Sequence, residues 1–103
     1  MEHEQPHLTG HDVVGQHGEP IGKAGDVLYD EVEDRPAWIQ VDQGLLHSKH
    51  TLVPAEGAYQ DENGTVVVPF DKETVKHAPK VKTPVALTGE VRQKFEEYYG
   101  VRS

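Results

Sequence analysis

The chain has no cysteine, and this absence removes several classes of chemistry at once. Without thiols there is no disulfide, no thiolate nucleophile and no zinc or iron–sulfur centre held by sulfur. Serine is nearly as scarce, since only Ser48 and Ser103 are present. Ser48 lies between His47 and Lys49, and neighbouring residues of a strand point to opposite faces, which is poor geometry for a nucleophile and its base. We therefore predict that the protein is not an enzyme.

Long apolar runs are also missing. A membrane-spanning helix needs about 20 consecutive apolar residues, and no segment approaches that length. The first dozen residues do not resemble a secretory signal peptide. With 103 residues, of which 35% are hydrophobic, we expect one soluble, cytoplasmic domain with a modest core.

Basic residues are scarce in the first two thirds of the chain. Residues 1–70 carry 13 acids and three bases, whereas residues 71–103 carry five acids and seven bases, and the formal net charge is −8. An acidic domain repels phosphate backbones, so nucleic-acid binding is disfavoured. A solvated surface that keeps the protein soluble is the simplest explanation of the acidic charge.

Short runs rich in β-branched residues, separated by turn residues, predict about six strands. Gly22 and Gly25 are typical of places where a coiled strand bends or another backbone comes close. Asn63-Gly64 predicts a tight hairpin with a type I′ turn. In the third strand, Ala37, Ile39 and Val41 alternate with polar positions and Trp38, so we expect one buried face. The predicted strands are Asp12–Val14, Asp26–Val32, Ala37–Asp42, His50–Val53, Ala58–Gln60 and Thr65–Val68.

Two helices are predicted in the last third of the chain. Asp71 is placed to cap a short helix over Lys72–His77. Thr88 is placed to cap a second helix over Gly89–Tyr99, and Gly100 is placed to end it. The predicted fold is therefore mostly β, a small antiparallel barrel of about six strands with two helices. The expected organisation is a flexible arm over 1–10, the barrel over 11–79, a linker over 80–87 and the C-terminal helix over 88–100.

The second helix carries an apolar stripe formed by Val91, Phe95, Tyr98 and Tyr99. An isolated helix of about 11 residues is marginal in water, so the stripe should dock on something. Two alternatives stay open, namely its own barrel or a second copy of the chain. Tyr98 and Tyr99 cannot both face one groove, so one is expected in the core and the other at an interface. These four residues are the candidate protein-interface residues.

Histidine is abundant, with seven residues in the chain. His3, His7 and His11 follow one another at intervals of four, which would align them on a helix as a metal site. Pro6 and Gly10 interrupt any such helix, so we interpret the segment as a polar arm.

The other histidine pair is His47 and His50. Together with Asp42 it forms a weak candidate for binding a metal or a small ligand. No cofactor is expected.

The order of several short segments resembles the PRC-barrel family, the small β-barrel named after the photosynthetic reaction centre. The resemblance extends over roughly residues 8–100. It rests on Gly22–Val27, on Trp38–Gln43 followed by Gly44, on Leu52–Pro54, on Val66–Pro69 followed by Asp71-Lys72 and Ala78-Pro79, and on Tyr98–Gly100.

The resemblance implies a docking module without chemistry of its own. Members of the family include the cytoplasmic domain of the reaction-centre H subunit and the C-terminal domain of a bacterial ribosome-maturation factor. This chain lacks the membrane helix of the first and the separate N-terminal domain of the second. The resemblance thus implies a bacterial, non-enzymatic protein-binding or assembly module that associates with itself as a homodimer, and that could dock peripherally on a membrane complex.

Two alternative functions remain at this stage. One is a protein that binds a metal or a small ligand through His47 and His50. The other is an accessory of ribosome assembly, which only the family resemblance suggests. The sequence does not name the partner protein.

Overall fold

A computed structural model of the chain describes residues 8–30 and 32–101. Its six strands are followed by two helices, and a short 3₁₀ turn, Leu45–His47, precedes the fourth strand. The strands are β1 Asp12–Val14, β2 Pro20–Asp30, β3 Arg35–Gln43, β4 Lys49–Pro54, β5 Tyr59–Gln60 and β6 Val66–Val67, and the helices are α1 Lys72–Lys76 and α2 Gly89–Tyr99. The mostly β prediction and the number of strands and helices are confirmed.

The strands form one sheet in the order β4-β3-β2-β1-β6-β5. All neighbouring pairs are antiparallel except β1 and β6, which run parallel with Val13 opposite Val66. The prediction of a purely antiparallel sheet was therefore wrong. A connection without a crossover helix still produces this parallel pair, because the chain between β1 and β6 first builds the other four strands.

The sheet is not closed into a barrel within the described residues, since β4 and β5 are its two ends. The free edge of β4 is covered instead by the segment that follows α1. The backbone N–H of Val81 donates to the carbonyl of His50 at 2.8 Å, and the Thr51 hydroxyl donates to the carbonyl of Pro79 at 2.6 Å. Because this segment occupies the edge, β5 cannot pair there, and the barrel predicted from the sequence is an open sheet.

Strand β2 begins earlier than the sequence predicts and contains both glycines. A Cβ on Gly22 would overlap the carbonyl oxygen of Asp42, and a Cβ on Gly25 would overlap the side-chain amide of Gln40. The register of β2 against β3 shifts between Ala24 and Val27. The predicted close backbone approach is confirmed at Gly22, whereas Gly25 lies within the register shift and its close neighbour is a side chain.

Strand β3 is buried on both faces, which corrects the prediction of one buried face. Ile39 and Val41 belong to a core cluster on one side, together with Val13, Val53 and other residues of β1, β2, β4 and β6. Trp38 points to the other side and is fully buried. The alternation along β3 thus separates two cores, rather than a core from solvent.

The second core is completed by helix α2. Phe95 is fully buried, and its ring centroid lies 5.9 Å from that of Trp38. Leu52 and Ala78 are the other buried members of this cluster. Of the two docking alternatives that the sequence left open, the structure places the helix on its own sheet.

Described residues on either side of the predicted barrel segment pack against the two cores. Leu8 is buried in the first core, and the backbone N–H of Gly10 donates to the carbonyl of Ala24 at 2.7 Å. In the predicted linker, Val81, Val85 and Leu87 pack against the second core. Residues 1–7 of the predicted arm, with His3 and His7, lie outside the described residues.

The predicted caps and turns are partly confirmed. The Thr88 hydroxyl accepts from the backbone N–H of Val91 at 3.2 Å, and Gly100 ends α2 in the left-handed region at φ 72°. Asp71 occupies the N-cap position of α1 without a capping hydrogen bond from its side chain. In the β5–β6 turn Gly64 has a positive φ and Asn63 does not, so the predicted type I′ turn was wrong.

Candidate functional site

The most unusual local geometry is the turn between β3 and β4. Its leucines project into solvent, with Leu45 84% and Leu46 87% exposed. Leu46 and His47 both adopt positive φ angles, 59° and 55°, a conformation that costs a side-chain-bearing residue about 1–3 kcal/mol. Two exposed leucines therefore lie on a turn whose backbone is strained at Leu46 and His47.

Hydrogen bonds fix this turn in place. The backbone N–H of His47 donates to the carbonyl of Gly44 at 3.0 Å, and the Ser48 hydroxyl donates to the carbonyl of Leu45 at 2.9 Å. The Ser48 hydroxyl is thereby used to close the turn. Neither His47 nor Lys49 is the hydrogen-bond partner of this hydroxyl among the described contacts.

The predicted constellation of His47, His50 and Asp42 is only partly brought together. His50 Nδ1 lies 2.6 Å from an Asp42 carboxylate oxygen, and the two side chains are 24% and 20% exposed. The same oxygen accepts a hydrogen bond from the Gln40 amide at 2.8 Å. His47 lies on the exposed turn and does not join them in a group of three ligand atoms. The structure thus shows a hydrogen-bonded pair that joins β3 to β4.

A different group of potential metal ligands is assembled near the start of α1. One atom each from His17, Glu19 and Asp71 lie within 4.8 Å of one another, the sole such group in the described part of the chain. No local sequence pattern predicts this group, because Asp71 is more than 50 residues from His17 and Glu19 and only folding brings the three together.

The oxygens of this group already have partners. The Glu19 carboxylate accepts from the backbone N–H groups of His17 and Lys72, at 3.0 and 3.4 Å, and Asp71 accepts from the Gln16 amide at 2.8 Å. The backbone N–H of Glu19 itself is the main cause that lowers the pKa of this carboxyl, and the backbone N–H groups of His17 and Lys72 and the His17 charge lower it further. The arrangement ties the β1–β2 turn to the start of α1.

The four interface candidates on α2 fall into distinct environments. Phe95 is buried in the second core and Val91 is half-buried against it. Tyr99 contacts Phe70 with ring centroids 4.9 Å apart. Burial raises the pKa of Tyr99, and Tyr98 adds to the shift. Tyr98 is 38% exposed and its hydroxyl donates to the carbonyl of Thr74.

Tyr99 packs against both cores, whereas Tyr98 lies nearer the surface. Because Tyr99 packs on Phe70 within the chain, replacing both tyrosines would also disturb the fold. Whether Val91, Tyr98 or Tyr99 contacts another protein stays a prediction.

Among the described residues, no helix has the length and apolar character needed to cross a bilayer.

Comparison with known proteins gives one family. A search of curated proteins found no match to the chain. The family model described as "PRC-barrel domain" matches residues 2–75, which cover the whole sheet and most of α1 but not α2. This match spans well over half of the chain and agrees with the β-rich fold. The chain belongs to the PRC-barrel domain family.

Proposed function

We propose that this protein is a non-catalytic interaction module that binds a partner protein, or further copies of itself, through the surface around Leu45 and Leu46. Membership of the PRC-barrel family suggests an interaction or assembly role. The observation that carries the proposal is the exposed leucine pair on a strained turn. Strained backbone is retained where the surrounding structure or a function requires it.

The energetics of this turn favour contact with another protein. Burying a leucine stabilises a complex by roughly 1.5–3 kcal/mol, so the pair could supply the apolar centre of a small interface. The cores on both sides of the sheet are complete without these leucines. They are therefore free to contact a partner without unfolding the domain.

A surface substitution tests this proposal. We would express a tagged copy in the host cytoplasm, crosslink it gently and identify co-purifying proteins by mass spectrometry. The test variant is Leu45→Ser with Leu46→Asn, because asparagine tolerates the left-handed conformation at position 46. The control is Tyr59→Ser, which removes another exposed large side chain, 61% exposed on β5.

We expect a specific partner, or the untagged chain itself, to be recovered with the wild type and with Tyr59→Ser, and to be lost with the double variant. Equal recovery with all three proteins would contradict the leucine surface. Recovery of no protein with the wild type would contradict the interaction module itself. Deleting residues 88–103 is unsuitable here, because the loss of Phe95 uncovers Trp38.

A further inference from the structure

A groove beside the leucine turn concentrates positive charge in an otherwise acidic protein. Its volume is about 570 Å³, and among the described residues five lysines and two histidines line it but only one carboxylate, that of Asp12. Asp12 pairs with Lys23 at 2.6 Å. The basic residues are Lys23, Lys49, Lys72, Lys76, Lys80, His47 and His77. Half of the ten lysines and arginines of a chain with net charge −8 thus line one groove.

These lysines come from different parts of the fold, namely β2, β4, α1 and the residues after α1. The Lys80 ammonium donates to the carbonyls of Lys76 and Ala78, at 2.8 and 2.7 Å. Burial lowers the pKa of Lys80, and the nearby charge of Lys49 lowers it further. An anionic group bound in the groove would reduce the electrostatic repulsion between these lysines.

The chain itself carries an anionic segment of suitable chemistry. Between β2 and β3 the sequence reads Asp30-Glu31-Val32-Glu33-Asp34, four acids around one apolar residue. Val32 is 92% exposed. The Asp30 carboxylate accepts from the backbone N–H groups of Val32 and Glu33, at 2.8 and 3.2 Å. We call the described residues of this segment, Asp30 and 32–34, the acidic tip.

The acidic tip and the groove lie at opposite ends of the β2–β3 ladder. Lys23 pairs with Asp42 near the groove, and Asp30 pairs with Arg35 at the tip. A rise of about 3.3 Å per residue separates them by roughly 20 Å. A tip therefore cannot enter the groove of its own chain, whereas the tip of a second copy can.

We propose that the lysine groove binds the acidic tip of a second copy, which joins the molecules head to tail. The described acids of the tip, Asp30, Glu33 and Asp34, would face the lysines. Val32 would lie on the apolar part of the groove, which Pro20 and Ile21 form. The exposed leucine pair is next to this groove, because Gly44 and His47, which flank the pair in the sequence, line it. Such an interface uses different surfaces on the two molecules and extends into a chain or closes into a ring.

This inference rests on the proposed interaction function and names the partner as a second copy. It is tested by sedimentation velocity of the purified full chain over a range of concentrations. Lys72→Glu with Lys76→Glu reverses the charge of the groove. Lys82→Glu with Lys94→Glu is the matched control, because both lysines are exposed outside the groove and the net charge changes by the same amount.

We expect the wild type and the control pair to associate, and the groove variant to associate at least about tenfold more weakly. Glu33→Lys with Asp34→Lys should weaken association similarly from the tip side, whereas Glu62→Lys with Glu97→Lys should not. Mixing the groove variant with the tip variant should restore association, because the unchanged tip of one meets the unchanged groove of the other. Thermal unfolding of each variant checks that all remain folded.

A wild type that stays monomeric, or equal losses in the control pairs, would overturn the proposal. Failure of the mixture to associate would also overturn it. Binding of a twelve-residue oligothymidylate to the groove without self-association would assign the groove to nucleic acid instead. In each of these cases the partner capture with the Leu45→Ser, Leu46→Asn variant is a separate test. If that variant fails to recover a partner that the wild type recovers, the interaction function stands and only the head-to-tail contact is rejected.

Discussion

Single residues set the path of the sheet, as the two glycines of β2 show. The carbonyl oxygen of Asp42 fills the place of a side chain at Gly22, and backbone cannot move aside as a side chain can. At Gly25 the obstacle is the Gln40 side chain, which is buried and bonded to Asp42. Each glycine therefore allows β3 to approach β2 more closely than a Cβ would permit.

We expect Gly22→Ala to destabilise the protein by about 1–3 kcal/mol, because the added methyl group forces β2 and β3 apart. Urea-induced unfolding measures this change. The control is Gly89→Ala, which meets no atom within 4 Å at the start of α2 and should stabilise the protein by about 0.5–1 kcal/mol. A Gly22→Ala protein as stable as the wild type would contradict the close approach.

The Asp30 carboxyl makes the stability of the folded protein decrease as the pH falls in the acidic range. The backbone N–H groups of Glu33 and Val32 hold the pKa of this carboxyl below its ordinary value of 3.8. The ionised form is thus favoured by folding, so its stabilisation is present above the ordinary pKa and is lost as the pH falls through the lowered one. Asp30→Asn should therefore lose less thermal stability between pH 7 and pH 3 than the wild type does.

Melting temperatures at several pH values check this prediction. Asp26→Asn, an exposed position elsewhere on β2, provides the comparison for removing one acid from the same strand. Identical acid sensitivity of the wild type and Asp30→Asn would show that the tip hydrogen bonds do not contribute.

At the scale of elements, the C-terminal helix is the part whose position could not be derived from its sequence. Its bounds and both caps follow from Thr88, the apolar stripe and Gly100. Its docking site depends on Trp38, more than 50 residues away, and the alternation of β3 did not show that this face is covered. The helix lies outside the matched family segment yet buries the single tryptophan of the chain.

Replacing Phe95 tests how much the packing of α2 on Trp38 contributes to the free energy of unfolding. We expect Phe95→Ala to cost about 3–5 kcal/mol, because it leaves a cavity against Trp38, and Phe95→Leu to cost less. Tryptophan fluorescence during urea unfolding measures both effects with Trp38 as the reporter. If Phe95→Ala unfolds at the wild-type urea concentration, the helix does not contribute to the core.

At the scale of the molecule, the sequence predicted the family, the strands and the acidic balance, but neither the open sheet nor the groove. The sheet does not close into a barrel because Pro79 and Val81 contact the edge of β4. Patterns of neighbouring residues in the sequence do not predict this contact. The groove could not be predicted because its lysines are distributed along the sequence from position 23 to position 80. The exposure of the leucine pair was not predicted, because it accompanies positive φ angles at Leu46 and His47 that the residue types do not indicate.

Strand β1 has a further consequence for how the chain is made. It has only three residues, yet it alone connects β6 and β5 to the other strands of the sheet. During synthesis the antiparallel strands β1 to β4 can pair as they emerge, whereas the parallel partner of Val13 is Val66, 53 positions later. The open side of β1 must therefore wait for most of the chain to leave the ribosome, which makes this edge the most vulnerable to wrong pairing in the nascent protein.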